Sequence, residues 1–130
     1  MRWTPPRPPA VPATAAPAAP ERWRLDVGDA VQAVLTIPAD PRRERRFEVG
    51  CALLVRCGDD LAGAWHEMAV SANGAELWRR RIASSNPGQT DGLDYRFART
   101  VPVGQALRLL VRSACHGVVR SRLMIEAEEV

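Results

Sequence analysis

The segment from Trp65 to Ile82 reads WHEMAVSA, then Asn73-Gly74, then AELWRRRI. Asn-Gly between two β-prone runs is the strongest short-range signal of a β-hairpin, because both residues tolerate the positive φ of a tight primed turn. The segment therefore predicts two neighbouring antiparallel strands and favours an all-β fold for the whole chain.

The sequence leaves the register of this hairpin open. A two-residue loop places Glu67 opposite Arg80 and Ala69 opposite Trp78, whereas a three-residue loop with a bulge places Glu67 opposite Arg79. Glu67 faces an arginine in both registers. The hairpin therefore predicts a cross-strand ion pair.

Apolar and polar residues alternate on both sides of the hairpin, from Arg22 to the end of the chain. The longest alternating run consists of Phe47, Val49, Cys51, Leu53, Val55 and Cys57. Turn residues separate about eight such runs at the spacing typical of sandwiches and small barrels. We therefore expect an antiparallel β-sandwich of about seven or eight strands over residues 22–130, immunoglobulin-like or jelly-roll-like in shape.

A short motif resembles part of the immunoglobulin fold. Asp91, Tyr95 and Phe97 have the spacing of the Asp, Tyr and Cys around the tyrosine corner, although Phe97 stands where the cysteine would be. The resemblance implies a sandwich and extends over this motif only.

Residues 1–21 differ in composition from the rest of the chain, with seven prolines and six alanines. Proline fixes φ and removes a backbone donor, so this stretch predicts a disordered, partly polyproline-II tail. It lacks the apolar core of a signal peptide, and no run of roughly 18 apolar residues is present to span a membrane. The expected location is the cytoplasm.

The charged residues give little information about partners. All 18 basic residues are arginine, which together with abundant alanine and proline is typical of a GC-rich, bacterial-like coding bias, and the net charge is +3. So small a charge does not favour nucleic acid. Cys51 and Cys57 would lie roughly 20 Å apart on one strand, too far for a disulfide, so we expect reduced, buried thiols.

Antiparallel order places alternate turns at opposite ends of the sandwich. One end then gathers Asp59, Asp60, Asp91 and His116, which are candidate contacts for a divalent cation or a small polar ligand. Metal-binding spacings such as C-x2-C are absent from the sequence, and no resident metal or cofactor is predicted.

The hairpin provides a second candidate surface, formed by Trp65, Trp78, Arg79, Arg80 and Arg81. Arginines beside aromatic rings suit another protein, a second copy of the chain, or a carbohydrate. Glutamates interspersed among these arginines disfavour nucleic acid. A solvated strand face is the ordinary interpretation of the same run.

Enzymatic signals are weak. A nucleophile, base and orienting acid would have to come from Ser84 or Ser85, His66 or His116, and an aspartate, and the sequence has no G-x-S-x-G or phosphate-binding glycine loop. We therefore expect a small non-enzymatic binding or protein-interaction module. The alternative is a ligand- or metal-binding sandwich that uses the end rich in Asp and His.

Overall fold

The computed structural model describes residues 2–6 and 19–130, and these residues contain eight β-strands and no helix. The strands are β1 (Arg22–Asp26), β2 (Gln32–Ile37), β3 (Arg45–Cys57), β4 (Trp65–Ala72), β5 (Ala75–Ala83), β6 (Thr90–Val101), β7 (Leu107–His116) and β8 (Val118–Glu129). Most of the predicted disordered tail, residues 1–21, lies outside the described residues. The described part of the chain offers no helix that could cross a membrane.

The strands form two four-stranded antiparallel sheets. Sheet A has the order β1-β8-β3-β6 and sheet B has the order β2-β7-β4-β5. Each early strand pairs with a late one, β1 with β8, β2 with β7, β3 with β6 and β4 with β5. This is the strand order of a jelly roll. The predicted antiparallel sandwich is confirmed, and its jelly-roll form is the one found.

The core consists of the inward positions of the predicted alternation. On β3, the side chains of Phe47, Val49, Cys51, Leu53 and Val55 are buried between the sheets. Each large aliphatic or aromatic side chain buried in this way contributes roughly 1.5–3 kcal/mol to folding. Burial also raises the pKa of the Cys51 thiol to about 12, so this cysteine stays protonated and acts as a small apolar residue.

The Asn73-Gly74 turn forms as predicted, with φ of 48° and 83°, and it pairs Ala72 with Ala75. The register beyond the turn differs from both predicted ones. Strand β5 contains a bulge at Leu77, which shifts the pairing and places Glu67 opposite Arg81. Neither predicted partner, Arg80 or Arg79, lies directly opposite Glu67.

The bulge allows an aromatic stack to close one side of the sandwich. Trp78 pairs with the buried Val70 and points inward, where its ring stacks on Tyr95 of β6 at 4.8 Å and 5° between planes. Tyr95 in turn stacks on Phe97 at 5.6 Å. The residues that resemble a tyrosine corner therefore join the edge strands of the two sheets.

Hydrogen bonds between loops confirm the predicted sorting of turns between the two ends. At one end, the Gly88 amide donates to the Gly58 carbonyl and the Ser84 amide donates to the Ala64 carbonyl. At the other end, the Gly104 amide donates to the Asp40 carbonyl. Both ends are thus cross-linked by backbone contacts between different turns.

Gly92 on β6 marks a close approach of two strands. A Cβ atom at this position would collide with the backbone carbonyl oxygen of Leu53. We predict that Gly92→Ala lowers the free energy of unfolding by about 1–3 kcal/mol, the usual cost of overpacking, as measured by urea denaturation. Gly50→Ala is the control, because a Cβ there meets only Arg96 Cγ at 4.0 Å. Equal stability of the two variants would contradict the prediction.

Candidate functional site

His66 lies at the centre of a buried polar cluster between β4 and the start of β6. Its side chain is fully buried, with Nδ1 2.7 Å from Ser84 Oγ and Nε2 3.1 Å from the Gly92 carbonyl oxygen. Because a carbonyl can only accept, Nε2–H donates to Gly92, and Nδ1 accepts from the Ser84 hydroxyl. Asp91 Oδ1 lies 3.9 Å from Nε2.

This cluster contains the residue types of a Ser-His-Asp triad, but its surroundings favour a structural role. Ser84 is only 6% exposed, and it does not line the groove described below. Asp91 accepts hydrogen bonds from the Ser85 and Gly92 amides. Partial burial opposes the charge on Asp91, yet these amides keep its pKa below the ordinary value. We interpret the cluster as the anchor of the loop between β5 and β6.

The anchor can be tested with Ser84→Ala. We expect this substitution to lower the free energy of unfolding by about 1–3 kcal/mol, because it leaves Nδ1 of the buried His66 without a donor. Urea denaturation provides the measurement. Ser85→Ala is the matched control, since only the backbone amide of the exposed Ser85 makes the recorded bond to Asp91. A loss as large in the control would contradict the assignment.

No hydrogen bond or ion pair within residues 2–6 and 19–130 joins the four predicted ligand residues, Asp59, Asp60, Asp91 and His116, to one another. Asp60 caps its own loop by accepting from the Ala62 amide, and Asp59 lies beside Gly88. His116 stacks on Trp65 on the outer face of sheet B, at 6.4 Å between ring centroids. In the part of the chain that the structure describes, no three His, Cys, Asp or Glu side chains are close enough to hold a metal ion together.

The predicted interaction surface is divided between two faces. Trp65, Arg79 and Arg81 lie on the outer face of sheet B, together with Glu67. The Arg81 guanidinium covers the Trp65 ring at 3.6 Å from its centroid, and Glu67 lies 3.6 Å from Arg81 and 3.7 Å from Arg79. Glu67 therefore makes the predicted cross-strand ion pair, with Arg79 and Arg81 as its partners. Because Arg81 also covers the Trp65 ring, the ring and both arginines already have partners within the protein.

Trp78 and Arg80 belong to the opposite side of the same hairpin. Trp78 packs against Tyr95, as described above, and Arg80 lies opposite the buried Met68 on the exposed edge strand. The alternation of side chains along β5 thus separates these two residues from Arg79 and Arg81. The five residues do not form a single contact surface.

A groove that the sequence analysis did not identify runs across the outer face of sheet A. Its volume is about 740 Å³, and all four strands of the sheet contribute to it. Its charged lining residues are Arg22, Arg24, Glu48, Arg96, Glu126 and Glu128. Gly50 and Ala98 form a floor without large side chains.

The charges in the groove are balanced, but they are not all paired. Arg22 contacts Glu128 at 2.7 Å and Arg24 contacts Glu126 at 3.3 Å, each across the β1–β8 pair. Arg96 and Glu48 make no ion pair with any residue among 2–6 and 19–130. The groove therefore presents one free donor group and one free carboxylate on neighbouring strands.

The sequence carries a weak signal for this groove. Its charged residues alternate with core positions, a pattern that also describes an ordinary solvated face. Gly50 is the exception, because glycine in the middle of a long buried strand often marks a place where another molecule or backbone approaches. The floor becomes recognisable only once β6 and β8 are known to flank β3.

The arginines of the run from Arg42 to Arg46 are largely structural. Arg45 is only 3% exposed, and its Nη1 lies 2.9 Å from Glu21 Oε2. Arg43 bridges Glu21, which precedes β1, and Glu129, which is the last residue of β8. These ion pairs attach both ends of the sandwich domain to the loop before β3, so Glu21 belongs with the folded part of the chain.

We expect Arg45→Ala to lower the free energy of unfolding by about 3 kcal/mol. The substitution removes a buried guanidinium that pairs with Glu21 and also donates to the Pro38 carbonyl. Thermal and urea unfolding provide the measurement. Arg42→Ala is the control, since the side chain of Arg42 is exposed, and its effect should stay within about 0.5 kcal/mol. Similar losses in both variants would contradict a special role for Arg45.

Comparisons with known proteins identify no family. No protein-family model and no curated protein matches the chain. Among solved structures, dimeric latent PorU from Porphyromonas gingivalis is similar with a TM-score of 0.49 and 17% identity, over 81% of this chain and 10% of PorU. The insecticidal δ-endotoxin Cry8Ea1 from Bacillus thuringiensis is similar with a TM-score of 0.39 and 16% identity, over 85% of this chain and 19% of the toxin.

Both structural relatives are far longer than this chain, which spans about a tenth of one and about a fifth of the other. Resemblance at this level carries no argument about function. The candidate sites are therefore judged by their own geometry.

Proposed function

We propose that this domain is a non-enzymatic binding module whose ligand lies in the groove on the outer face of sheet A. The observation that carries the proposal is the combination of a 740 Å³ groove, a floor of small residues and the free groups of Arg96 and Glu48. The sheet fixes the backbone positions from which Arg96 and Glu48 project, so both groups face the same groove from neighbouring strands.

The hydrogen-bonding groups of the groove favour a polyhydroxylated ligand. Arg96 offers only donors and Glu48 offers only acceptors, and a sugar hydroxyl both donates and accepts. The three glutamates of the groove offset its three arginines, so the groove has no net positive charge that would attract a polyanion. We therefore propose a neutral carbohydrate as the ligand class.

The alternative of a module that docks proteins through an apolar surface has less support. The large apolar side chains that are exposed on the sandwich, Val31, Val103, Val119 and Val130, are scattered over its ends and do not form one patch. Isolated exposed apolar residues are normal on monomeric proteins. The Trp65 ring, which is the aromatic platform of the hairpin, is covered by Arg81.

The cytoplasm is our proposed location for this activity.

Gly50→Val gives the sharpest test, because it fills the floor of the groove without harming the strand. A Cβ at residue 50 meets no backbone atom within 4 Å, and valine favours strands, so stability should be unchanged or higher. We expect the wild-type chain to bind short neutral oligosaccharides on an array, with NMR shifts concentrated at Gly50 and Ala98. The Gly50→Val variant should lose this binding.

Charge variants complete the test. Arg96→Ala should weaken binding about tenfold, in line with the loss of a hydrogen bond to a charged group. Arg108→Ala removes the same charge from an exposed site on sheet B and should leave binding unchanged. NMR shifts confined to the Trp65 face, or equal losses in Arg96→Ala and Arg108→Ala, would refute the groove as the site.

A further inference from the structure

The groove on sheet A contains two oppositely charged side chains that do not pair with each other. Glu48 lies opposite Ala98 and Arg96 lies opposite Gly50, so Glu48 and Arg96 occupy diagonal positions on neighbouring strands. Both side chains are exposed, and neither makes an ion pair within residues 2–6 and 19–130. Diagonal positions on paired strands are roughly 7–8 Å apart. A small group of a ligand is therefore able to contact both side chains at once.

Stability does not explain the carboxylate of Glu48. On its other side, Glu48 lies directly opposite Glu128 of β8, whose carboxylate already pairs with Arg22 at 2.7 Å. Like charges directly opposite each other on paired strands are destabilising. A donor group of a ligand would offset this cost, because it would give Glu48 the partner that the fold does not supply.

Gly50 leaves a space the size of a methyl group beside this pair. A Cβ atom at residue 50 meets only Arg96 Cγ, at 4.0 Å. A methyl group of a ligand in the same place would therefore touch the apolar stem of Arg96 at an ordinary van der Waals distance. Ala98 adds a second small side chain to the floor. This part of the groove thus suits a small apolar group that lies next to a donor and an acceptor.

An acetamido group has all three features. Its N–H is a donor for a carboxylate, its carbonyl oxygen is an acceptor for a guanidinium, and its methyl group is small and apolar. The N–H and C=O of a trans amide point in opposite directions, so one amide joins two partners about 8 Å apart at ordinary hydrogen-bond lengths. A single hydroxyl oxygen brings its two partners to within about 5 Å of each other. The diagonal arrangement of Glu48 and Arg96 therefore favours the amide.

We propose that the groove binds an N-acetylated amino sugar, with its acetamido group between Glu48 and Arg96. Glu48 accepts from the amide N–H, Arg96 donates to the amide carbonyl, and the methyl group lies on Gly50. This assignment rests on the proposed function, because it names the kind of neutral carbohydrate that the groove takes. The acetamido group is uncharged, so the balanced charges of the groove do not oppose it.

The first experiment compares two oligosaccharides that differ only in this group. Oligomers of N-acetylglucosamine and of glucose are matched in linkage and in length. We expect isothermal titration calorimetry to show that the full chain binds the acetylated oligomer about tenfold tighter, in line with hydrogen bonds to two charged groups. Equal affinities would overturn the acetamido assignment and leave the groove as a carbohydrate site. Binding of neither oligomer also overturns the assignment, and the array then decides the proposed function separately.

An oligomer of glucosamine tests whether charge alone accounts for binding. Its ammonium groups are attracted to Glu48 and Glu128, but they offer no acceptor to Arg96. The glucosamine oligomer should therefore bind more weakly than the acetylated oligomer at physiological salt. Tighter binding of the glucosamine oligomer would overturn the proposal, because the groove would then select a cation.

Glu48→Ala separates recognition of the acetamido group from general binding. The variant should lose most of the preference for the acetylated oligomer, with the ratio of affinities falling to about threefold or less. Its unfolding temperature should be no lower than that of the wild type, because the substitution relieves the repulsion from Glu128. Glu76→Ala removes an exposed carboxylate outside the groove and should keep the full preference. An unchanged preference in Glu48→Ala would remove the assigned acceptor and overturn the proposal.

Discussion

Strand β3 pairs with both β6 and β8, and the core and the groove are both built on these pairings. β3 is the longest strand, with 13 residues, and it runs through the middle of sheet A. Its inward side chains form much of the core, and its outward Glu48 and Gly50 form part of the groove. The same alternation thus supplies both stability and a surface for binding, and each neighbour of β3 adds one wall.

The fold class was predictable because its signals are local. Alternation with a period of two, together with Asn73-Gly74, determines where strands and turns occur. The bulge at Leu77 was not predictable from the local pattern, which fits a hairpin with or without one. The bulge places Trp78 opposite Val70, where its ring stacks on Tyr95 of the other sheet, and no local signal indicates that contact.

The candidate sites were less predictable than the fold. The sequence places the Asp and His residues at one end correctly, but whether Asp60 meets a ligand or caps its own loop depends on hydrogen bonds that no pattern reveals. Arg45 shows the same difficulty, because nothing in a run of arginines indicates which one is buried against Glu21. His66 and Ser84 were named only as improbable catalytic residues, and the fold joins them as an anchor.

The groups that the fold leaves unpaired differ in whether a ligand can reach them. Among residues 2–6 and 19–130, Arg96 and Glu48 at the groove make no ion pair and are exposed, whereas Trp23 Nε1 and Arg45 Nε are unpaired but buried. An unpaired group selects a ligand by the partner it needs only where that partner can approach it. The unpaired groups of the groove can therefore take part in recognition, whereas the two buried donors are a cost of the fold.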